Sequence, residues 1–401
     1  MHMKMITDKA RIEEMFARGT LVQAYPSRDE LMTKLLSGER IKIYYGLDPT
    51  HTAIHLGHAK NFIFLEELRQ LGHEVVVLFG DFTAMIGDPT DKKSARKQLT
   101  KEEVKKNMAS WVEQIKPLIS FNDTENPATI THNADWLAKL TFADVVDLSS
   151  NFTVQQMLER DMFQERLKSN TPIHVHEFMY PLMQGYDSVA MDVDAELCGT
   201  DQIFNALAGR TLMKRLKNKD KFVLALNLLA NPKTGELMSK SNGTGVFIDV
   251  PAPELFGAIM ALPDPMLEPL FVNCTRIPLV EKDALMGQGP REAKARIAFD
   301  IVKRLHSEAV AAKAEEEFNN TFSKGGIPDD VAEIKLTSGE SLADALVKAG
   351  VIASKAEWRR LIDGGGVKTE DDTKITDPFY VPEKTGVLKV GKRRFVRIIR
   401  D

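Results

Sequence analysis

The sequence predicts an α/β protein with a Rossmann-like parallel sheet, and three stretches carry this prediction. Residues 41–45 are β-branched and aromatic, and after a turn the apolar residues recur at helical spacing from about His55 to Leu68. Residues 74–79 form a short apolar run that ends at Gly80, as buried parallel strands do. Strand, helix and strand in this order make a βαβ unit, whose ligands bind at the carboxyl ends of the strands.

Length, charge and cysteine content limit the class of protein. A chain of 401 residues is long enough for two or three domains. A net charge of −4 argues against a protein that coats nucleic acid nonspecifically, but it allows a local basic patch. The two cysteines are far apart, which indicates a reducing compartment, and no apolar run reaches the roughly 18 residues of a membrane span. We expect a soluble, cytoplasmic protein that has no signal peptide and binds no membrane.

The other elements of the first 230 residues follow in chain order. Residues 1–40 carry apolar side chains at helical spacing and are expected to be helical. Residues 90–120 begin with a basic run, which is a solvated face or an RNA contact, and then become helical. Residues 177–190 predict a further helix, with polar side chains on one face. Two more strands are expected at residues 194–198 and 222–230.

The last third of the chain divides into a helical region and a small module. Residues 250–320 have a helical pattern, and residues 324–330 are expected to be a linker. Residues 338–401 predict two helices, a turn of three glycines and strands near 386–399. This order resembles the small RNA-binding domain named for ribosomal small-subunit protein four, with a basic face at Lys355, Arg359, Arg360 and Lys368. The alternative is a structural tail with ordinary surface charge.

The stretch Tyr44–His58 has the features of a nucleotide site. It runs from a strand through a turn into a helix start, where free N–H groups and a partial positive charge suit phosphate. Gly57 leaves no side chain between the helix and a ligand, and His55 and His58 share one face of the first turn. The histidines could instead be a cap or surface decoration. A zinc site needs further ligands, and the two cysteines lack metal-type spacing.

A second motif adds a lysine to this site. Residues 237–243 read Leu-Met-Ser-Lys-Ser-Asn-Gly, a polar loop with Lys240 between two serines. The loop resembles the second signature of class I aminoacyl-tRNA synthetases, Lys-Met-Ser-Lys-Ser. Residues 55–58, His-Leu-Gly-His, resemble the first, His-Ile-Gly-His. Both motifs occur in the right order, and a strand, turn and helix surround the first, so together they indicate this class.

Further stretches narrow the resemblance to the bacterial tyrosyl-tRNA synthetases. Residues 44–50 are similar to the opening strand of that family, and residues 87–94 are similar to its Gly-Asp-Pro loop. Residues 180–187 and 199–202 resemble its amino-acid pocket. The similarity covers most of residues 35–250 and resumes at the C-terminus.

The resemblance implies a two-step reaction. The carboxylate of L-tyrosine attacks the α-phosphate of ATP, which Mg²⁺ accompanies, and gives tyrosyl-adenylate and pyrophosphate. The tyrosyl group then passes to the 3′-terminal adenosine of tRNA(Tyr). No metal cage of protein ligands is expected, and the family implies a homodimer. A pocket that hydrogen-bonds the phenolic hydroxyl can reject phenylalanine by about 10⁴–10⁵ without editing.

The resemblance also implies roles for individual side chains. The implied tyrosine-binding residues are Tyr44 and Asp187 at the phenolic hydroxyl, Asp88, Tyr180 and Gln184 at the α-amino group, and Gln202 beside the adenylate. The implied ATP-binding residues are Asp48, His55, Gly57, His58, Asp201, Met238, Ser239, Lys240 and Ser241. The implied catalytic residues are Thr50, His55, His58 and Lys240, with Lys240 closing over the pyrophosphate on a mobile loop.

Two positions depart from the family pattern. Leu237 stands where the loop signature has its first lysine, so only Lys240 remains in that loop to meet phosphate. This change is expected to lower the rate without abolishing the reaction. Glu196 stands where one branch of the family has glutamine, which leaves the ribose or α-carboxylate region less defined.

The family pattern implies three domains. These are a Rossmann-like catalytic domain at 1–232 with a dimer-forming insertion at about 90–190, a signature loop and helical anticodon-binding domain at 233–325, and the small RNA-binding domain at 338–401. Two alternatives remain. A tryptophanyl-tRNA synthetase shares the fold, but Tyr44 and Asp187 argue against indole, which offers only a donor. A noncatalytic RNA-binding protein would have no use for His55, His58 and Lys240.

Overall fold

The chain folds into two compact units, Met1–Ala311 and Ala312–Asp401. The computed structural model describes residues 4–90, 99–238, 243–323, 331–336, 341–370, 373–382, 385–391 and 394–400. The predicted linker at 324–330 therefore lies outside the described residues, as does the first part of the predicted basic run, at 91–98. The three predicted domain boundaries stay predictions.

A six-stranded sheet forms the centre of the first unit. Its strands are β1 (Leu21–Tyr25), β2 (Lys42–Leu47), β3 (Glu74–Phe79), β4 (Thr129–His132), β5 (Ala195–Gly199) and β6 (Phe222–Leu226). Their order across the sheet is β1-β6-β5-β2-β3-β4. Strands β2 to β6 run parallel, and β1 is antiparallel to β6. The predicted α/β class with a parallel sheet is confirmed.

Helices cover the sheet and continue beyond it. They are α1 (Lys9–Ala17), α2 (Arg28–Leu36), α3 (Leu56–Gln70), α4 (Thr83–Ile86), α5 (Lys101–Met108), α6 (Trp111–Ile115), α7 (Ala134–Leu137), α8 (Phe142–Ser149), α9 (Val154–Leu158), α10 (Asp161–Lys168), α11 (Met179–Met191), α12 (Ile203–Lys217), α13 (Ala252–Met260), α14 (Leu267–Cys274), α15 (Lys282–Gly287), α16 (Pro290–Leu305) and α17 (Glu308–Ser323). Among the described residues, no single helix meets the length and hydropathy needed to cross a membrane. The pair Ala252–Met260 and Asp264–Cys274 meets them jointly, with a bend of 110° between the two.

Strand β1 corrects the expectation that residues 1–40 are helical. The structure places a strand between α1 and α2, whose apolar stripes do face the core. The strand has one neighbour only, its register with β6 shifts between Leu21 and Gln23, and Val22 is exposed. A five-residue edge strand with a shifted register leaves little period-two pattern, so the helical patterns on both sides dominate the sequence signal.

Helix α3 connects the sheet to the predicted nucleotide site. It is capped by the His55 side chain, whose Nδ1 accepts a hydrogen bond from the Gly57 N–H at 3.1 Å. The helix is buried on nearly all sides, including Phe62 and Leu65. Because β2, β3 and β5 are parallel neighbours of one sheet, their carboxyl ends meet at the edge where α3 begins.

The helices from α13 to α16 belong to the first unit, where they pack on one another and α14 contacts α3. The guanidinium of Arg18, after α1, is buried and donates to the backbone oxygens of Phe271 and Ile277, both at 3.0 Å. Arg276, after α14, forms an ion pair with Glu67 of α3. These polar contacts hold the helical region to the helices that flank the sheet.

The second unit is a small sheet with two helices. Its elements are β7 (Ala332–Leu336), α18 (Leu342–Lys348), α19 (Lys355–Asp363), β8 (Val367–Thr369), β9 (Gly386–Val390) and β10 (Arg394–Arg400). The strand order is β7-β10-β9-β8, and Trp358 lies in the core with its Nε1 donating to the Pro378 oxygen at 2.9 Å. The two helices and the last two strands were expected, whereas β7 and the three-residue β8 carry too little pattern to be predicted. The likeness to the small RNA-binding domain stays a prediction.

Candidate active site

A cavity of about 370 Å³ lies at the carboxyl edge of β2, β3 and β5. It brings together thirteen of the predicted site residues: Tyr44, Asp48, Thr50, His55, Gly57, His58, Asp88, Tyr180, Gln184, Asp187, Asp201, Gln202 and Met238. The predicted Ser239, Lys240 and Ser241 lie outside the described residues. The four residues predicted to bind RNA lie in the second unit.

The start of α3 forms one wall of the cavity. The rings of His55 and His58 lie 4.0 Å apart between centroids. Burial lowers the pKa of His55 to about 4, and burial together with His55 holds the pKa of His58 well below its usual value. Both rings are therefore neutral at pH 7. The Nδ1 of His58 is buried without a hydrogen-bond partner.

The segment that follows the predicted signature loop is joined to this wall. The N–H of Leu56 donates to the Val246 oxygen at 2.9 Å, and the N–H of Ile248 donates to the Ile54 oxygen at 3.0 Å. On the near side of the loop, Met238 lines the cavity. The backbone on both sides of residues 239–242 thus lies at the helix start, where the resemblance implies that phosphate binds.

A glycine is required at position 57 because the His55 ring and the Met238 backbone lie close to its Cα. A Cβ at this position would lie 2.8 Å from the His55 ring and 3.7 Å from the Met238 oxygen. An added methyl group would displace the histidine that caps α3 and would narrow the space between the helix and Met238.

In the reaction that the family resemblance implies, replacing Gly57 by alanine is expected to raise the KM for ATP about tenfold, an effect of roughly 1.4 kcal/mol, while the KM for tyrosine changes little. The matched control is Gly257→Ala in α13, where nothing lies within 4 Å of the added Cβ. That control should leave both constants unchanged and stabilise the fold by about 0.5–1 kcal/mol, because alanine favours a helix. Steady-state kinetics of both variants test this, and equal effects of the two would contradict the close-approach argument.

The middle of the cavity holds carboxylates in fixed positions. The Tyr180 hydroxyl donates to Asp48 Oδ2 at 2.9 Å, and the Thr83 hydroxyl donates to Asp48 Oδ1 at 2.7 Å. Gln202 donates from Nε2 to Asp88 Oδ2 at 2.7 Å. Burial and then Asp48 and Asp88 raise the pKa of Tyr180 well above its usual value, so it remains a donor. Oriented carboxylates of this kind suit an ammonium group.

The closed end of the cavity is polar and buried. The hydroxyls of Tyr44 and Ser188 lie 3.0 Å apart. Asp187 accepts hydrogen bonds from Trp136 Nε1 at 2.7 Å and from Asn133 Nδ2 at 3.3 Å. Burial raises the pKa of Asp187 well above its usual value. Tyr44 and Asp187 line the same cavity, as a site for a phenolic hydroxyl requires.

Glu196 lies under this closed end. Its Oε1 accepts a hydrogen bond from Gln184 Nε2 at 2.9 Å, and its other oxygen forms an ion pair with Lys221. Lys221 also donates to Ser188 Oγ at 2.8 Å. The family departure at residue 196 therefore belongs to the wall behind Tyr44, and a buried lysine balances its charge.

The described acidic side chains and histidines of the cavity are not arranged around a common point that could hold a metal ion. Within the part of the chain that the structure describes, no three histidine, cysteine, aspartate or glutamate side chains form a group that could hold a metal ion. Both cysteines are buried and free, and burial raises the pKa of each thiol, that of Cys274 to about 12.

Comparison with known families decides what kind of protein this is. The family model described as tRNA synthetases class I (W and Y) matches residues 36–323. The chain belongs to this family. This class I synthetase carries the two signature positions, residues 55–58 and 237–241, within the matched range.

Several relatives of this synthetase are bacterial proteins. It is 42% identical to "Tyrosine--tRNA ligase 2" of Vibrio parahaemolyticus, over 92% of this chain and 94% of that protein. It is 41% identical to "Tyrosine--tRNA ligase" of Carboxydothermus hydrogenoformans over 92% and 93% of the two chains, and 39% identical to that of Moorella thermoacetica over 98% and 97%.

Solved structures share the fold of the synthetase. A truncated mitochondrial tyrosyl-tRNA synthetase from Aspergillus nidulans superposes with a TM-score of 0.65 at 24% identity, over 78% of this chain and 94% of that chain. The tyrosyl-tRNA synthetase from Archaeoglobus fulgidus, complexed with L-tyrosine, gives a TM-score of 0.57 at 20% identity, over 76% and 99%. At these identities the likeness concerns the fold.

Several side chains that line the synthetase cavity, or contact its lining, were not predicted from the sequence. They include Asn133 and, as argued below, Lys60 on the lining, and Trp136, Ser188 and Lys221 behind it. Of these, only Lys221 was indirectly indicated by the sequence. Glu196 lies in an apolar strand, and a buried acidic side chain requires an opposite charge nearby. The others come from segments whose own patterns give no sign of the cavity.

Proposed function

We propose that this protein is a tyrosine–tRNA ligase, which activates L-tyrosine with ATP and transfers the tyrosyl group to tRNA(Tyr). The observation that carries the proposal is a single cavity with a polar closed end at Tyr44 and Asp187 and an open end at the start of α3. Relatives that are 39–42% identical over more than 90% of the chain, each named a tyrosine–tRNA ligase, support it.

In the first step, an oxygen of the tyrosine carboxylate attacks the α-phosphorus of ATP. A new O–P bond forms, the bond between the α-phosphorus and the oxygen that bridges to the β-phosphorus breaks, and pyrophosphate leaves. The carboxylate is already a nucleophile, so the protein contributes alignment and charge stabilisation. Thr50, His55 and His58 face the phosphates, with the neutral histidines acting as hydrogen-bond donors rather than as cations. Lys240 closes over the pyrophosphate.

Tyrosine enters with its phenol at the closed end of the cavity. Its hydroxyl hydrogen-bonds Tyr44 and Asp187, and its ammonium group faces Asp88, Tyr180 and Gln184. Gln202 and Asp48 border the adenylate, and Asp201 holds the ribose. In the second step, a ribose hydroxyl of the terminal adenosine attacks the tyrosyl carbonyl carbon and AMP leaves. Phenylalanine lacks the hydroxyl, so Tyr44 and Asp187 would lose the hydrogen bonds that they make to tyrosine. This loss is the basis of its rejection.

The partners follow from the same proposal. Mg²⁺ enters with ATP and supplies positive charge to the phosphates. The second unit binds tRNA through Arg359 and Arg360, which are exposed on α19, with Lys355 and Lys368 nearby. The protein acts in the cytoplasm as a homodimer. Exposed apolar side chains on the predicted dimer-forming insertion support that assembly, and they are Phe142, Val146, Val154, Leu167 and Val175.

The test is ATP–pyrophosphate exchange on the purified protein, with tyrosine, phenylalanine and tryptophan assayed side by side. We expect exchange with tyrosine, and a kcat/KM for phenylalanine lower by about 10⁴ or more. Exchange with tryptophan alone would keep the family and overturn the closed-end assignment. Absence of exchange with all three amino acids, in folded protein supplied with Mg²⁺, would favour the noncatalytic RNA-binding alternative.

A further inference from the structure

The described lining of the cavity is rich in acids and poor in cations. The acidic side chains that line it are Asp48, Asp88, Asp187, Glu196 and Asp201. Among the described lining residues, Lys60 is the one lysine or arginine. ATP brings several negative charges into this space, and like charges in a partly buried site repel strongly. A nucleotide site of this composition needs a source of positive charge.

Other groups at the helix start do not supply this charge. His55 and His58 are neutral at pH 7, because burial lowers the pKa of each. Leu237, which lines the cavity beside Met238, stands where the family signature has a lysine. The wall that faces the nucleotide thus carries an apolar side chain at a position where a cation is usual.

Lys60 lines the cavity from α3, the helix whose first turn carries the implied nucleotide-binding residues. It is three residues after Gly57, so the two side-chain positions share one face of the helix. The Lys60 side chain is only 1% exposed, and its Nζ donates to Asn61 Oδ1 at 2.7 Å. Asn61 in turn donates from Nδ2 to the Tyr45 hydroxyl at 2.8 Å. A neutral amide thus holds the ammonium group inside the cavity wall.

This placement is unfavourable for the free protein. A buried ammonium group is stabilised by a carboxylate partner, and within the described residues Lys60 forms no ion pair. Burial lowers its pKa to about 8, against a smaller opposing effect of the Cys274 thiol and of Asp201. The ammonium group of Lys60 is therefore buried without a carboxylate partner among the described residues, and an anionic ligand that binds beside it would stabilise its charge.

We propose that Lys60 is a nucleotide-binding residue whose ammonium group balances the charge of the ATP phosphates, in place of the positive charge missing at Leu237. This inference rests on the proposed function for the identity of the nucleotide. It adds a phosphate-binding cation from α3 to the cation implied in the signature loop.

The test compares ATP with adenosine, which lacks the phosphates, in calorimetric binding to the full chain without amino acid. Lys60→Met keeps the length of the side chain and removes its charge. We expect Mg²⁺-ATP to bind Lys60→Met about tenfold or more weakly, since a charged hydrogen bond contributes on that scale, and adenosine to bind within about twofold of wild type. The control Lys217→Met removes an exposed charge at the end of α12 and should change neither ligand.

A second measurement follows the affinity with pH. The titratable groups around Lys60 are His58 on α3, Tyr45 on β2 through Asn61, Cys198 on β5, Asp201 just after β5, and Cys274 on α14. Burial keeps the imidazole, the phenol and both thiols uncharged between pH 7 and 9. Lys60 loses its proton as the pH rises through about 8, so the advantage of wild type over Lys60→Met for ATP should shrink above that pH.

Three outcomes would overturn the proposal. Equal losses for ATP and adenosine would mean that Lys60 supports the fold or the ribose rather than the phosphates. Unchanged ATP binding in Lys60→Met would remove the role altogether. A wild-type advantage that stays constant from pH 7 to 9 would exclude its ammonium group. Because binding is measured without tyrosine, failure of the amino-acid exchange assay would leave this result interpretable.

Discussion

Replacing Asp187 by asparagine is expected to lower kcat/KM for tyrosine about 10²-fold or more and to reduce the preference over phenylalanine by a similar factor. Both carboxylate oxygens of Asp187 already accept hydrogen bonds, from Trp136 and from Asn133. An amide has one acceptor oxygen, so its NH₂ group would face one of these donors. The substrate hydroxyl would then compete for the remaining oxygen.

The measurement is ATP–pyrophosphate exchange with tyrosine and with phenylalanine. The control is Asp192→Asn, which makes the same change at an exposed aspartate just after α11, outside the cavity. It should leave the tyrosine-to-phenylalanine ratio unchanged. If Asp187→Asn keeps the wild-type ratio while tyrosine activation falls, Asp187 orients the pocket and does not hold the hydroxyl.

Replacing Lys221 by methionine is expected to destabilise the first unit by about 3–5 kcal/mol, because it leaves Glu196 as an uncompensated buried charge. The side chains of Lys221 and Glu196 are 0% and 2% exposed, so water cannot take the place of the lost partner. Ser188, which accepts from Lys221 and contacts Tyr44, would also lose a donor. Thermal and urea unfolding followed by circular dichroism measure the effect.

Two variants separate charge from packing at this pair. The double variant Lys221→Met with Glu196→Gln has no buried charge and should recover most of the lost stability. Lys282→Met removes one partner of the more exposed pair with Glu268 and should change stability by only about 0–1 kcal/mol. A double variant as unstable as Lys221→Met would show that side-chain packing, and not the charge of Glu196, is responsible.

The buried pair also connects the two ends of the amino-acid site. Glu196 holds Gln184, which faces the α-amino group in the proposed complex, and Lys221 holds Ser188 beside Tyr44 at the phenol end. The Nζ of Lys221 also lies 5.8 Å from the centre of the Tyr44 ring. One charge pair therefore orients side chains at both ends of the bound tyrosine. This explains how a glutamate is accommodated in an otherwise apolar strand.

Lys60 and Leu237 show how far single positions can be interpreted. In the sequence, Leu237 stands where the signature loop usually has a lysine, and Lys60 is a lysine in a predicted helix with no sign of a role. The structure places both side chains on the wall of the same cavity. The shared cavity shows that the leucine at position 237 and the buried lysine at position 60 both affect the charge of the same site.

The sequence by itself determined the parallel sheet, the strand–turn–helix at Tyr44–His58 and most of the cavity residues. The sheet and the strand–turn–helix depend on short-range patterns, namely apolar runs, helical spacing and turn residues at the carboxyl ends of strands, whereas the cavity residues were implied by the resemblance to a known family. The edge strand β1 was missed, because one neighbour and a shifted register leave little pattern. Tertiary structure alone decided that Trp136 and Asn133 meet Asp187, and that Lys221 meets Glu196. Such contacts join segments that are distant in sequence, and the packing of the whole sheet and its helices brings them together.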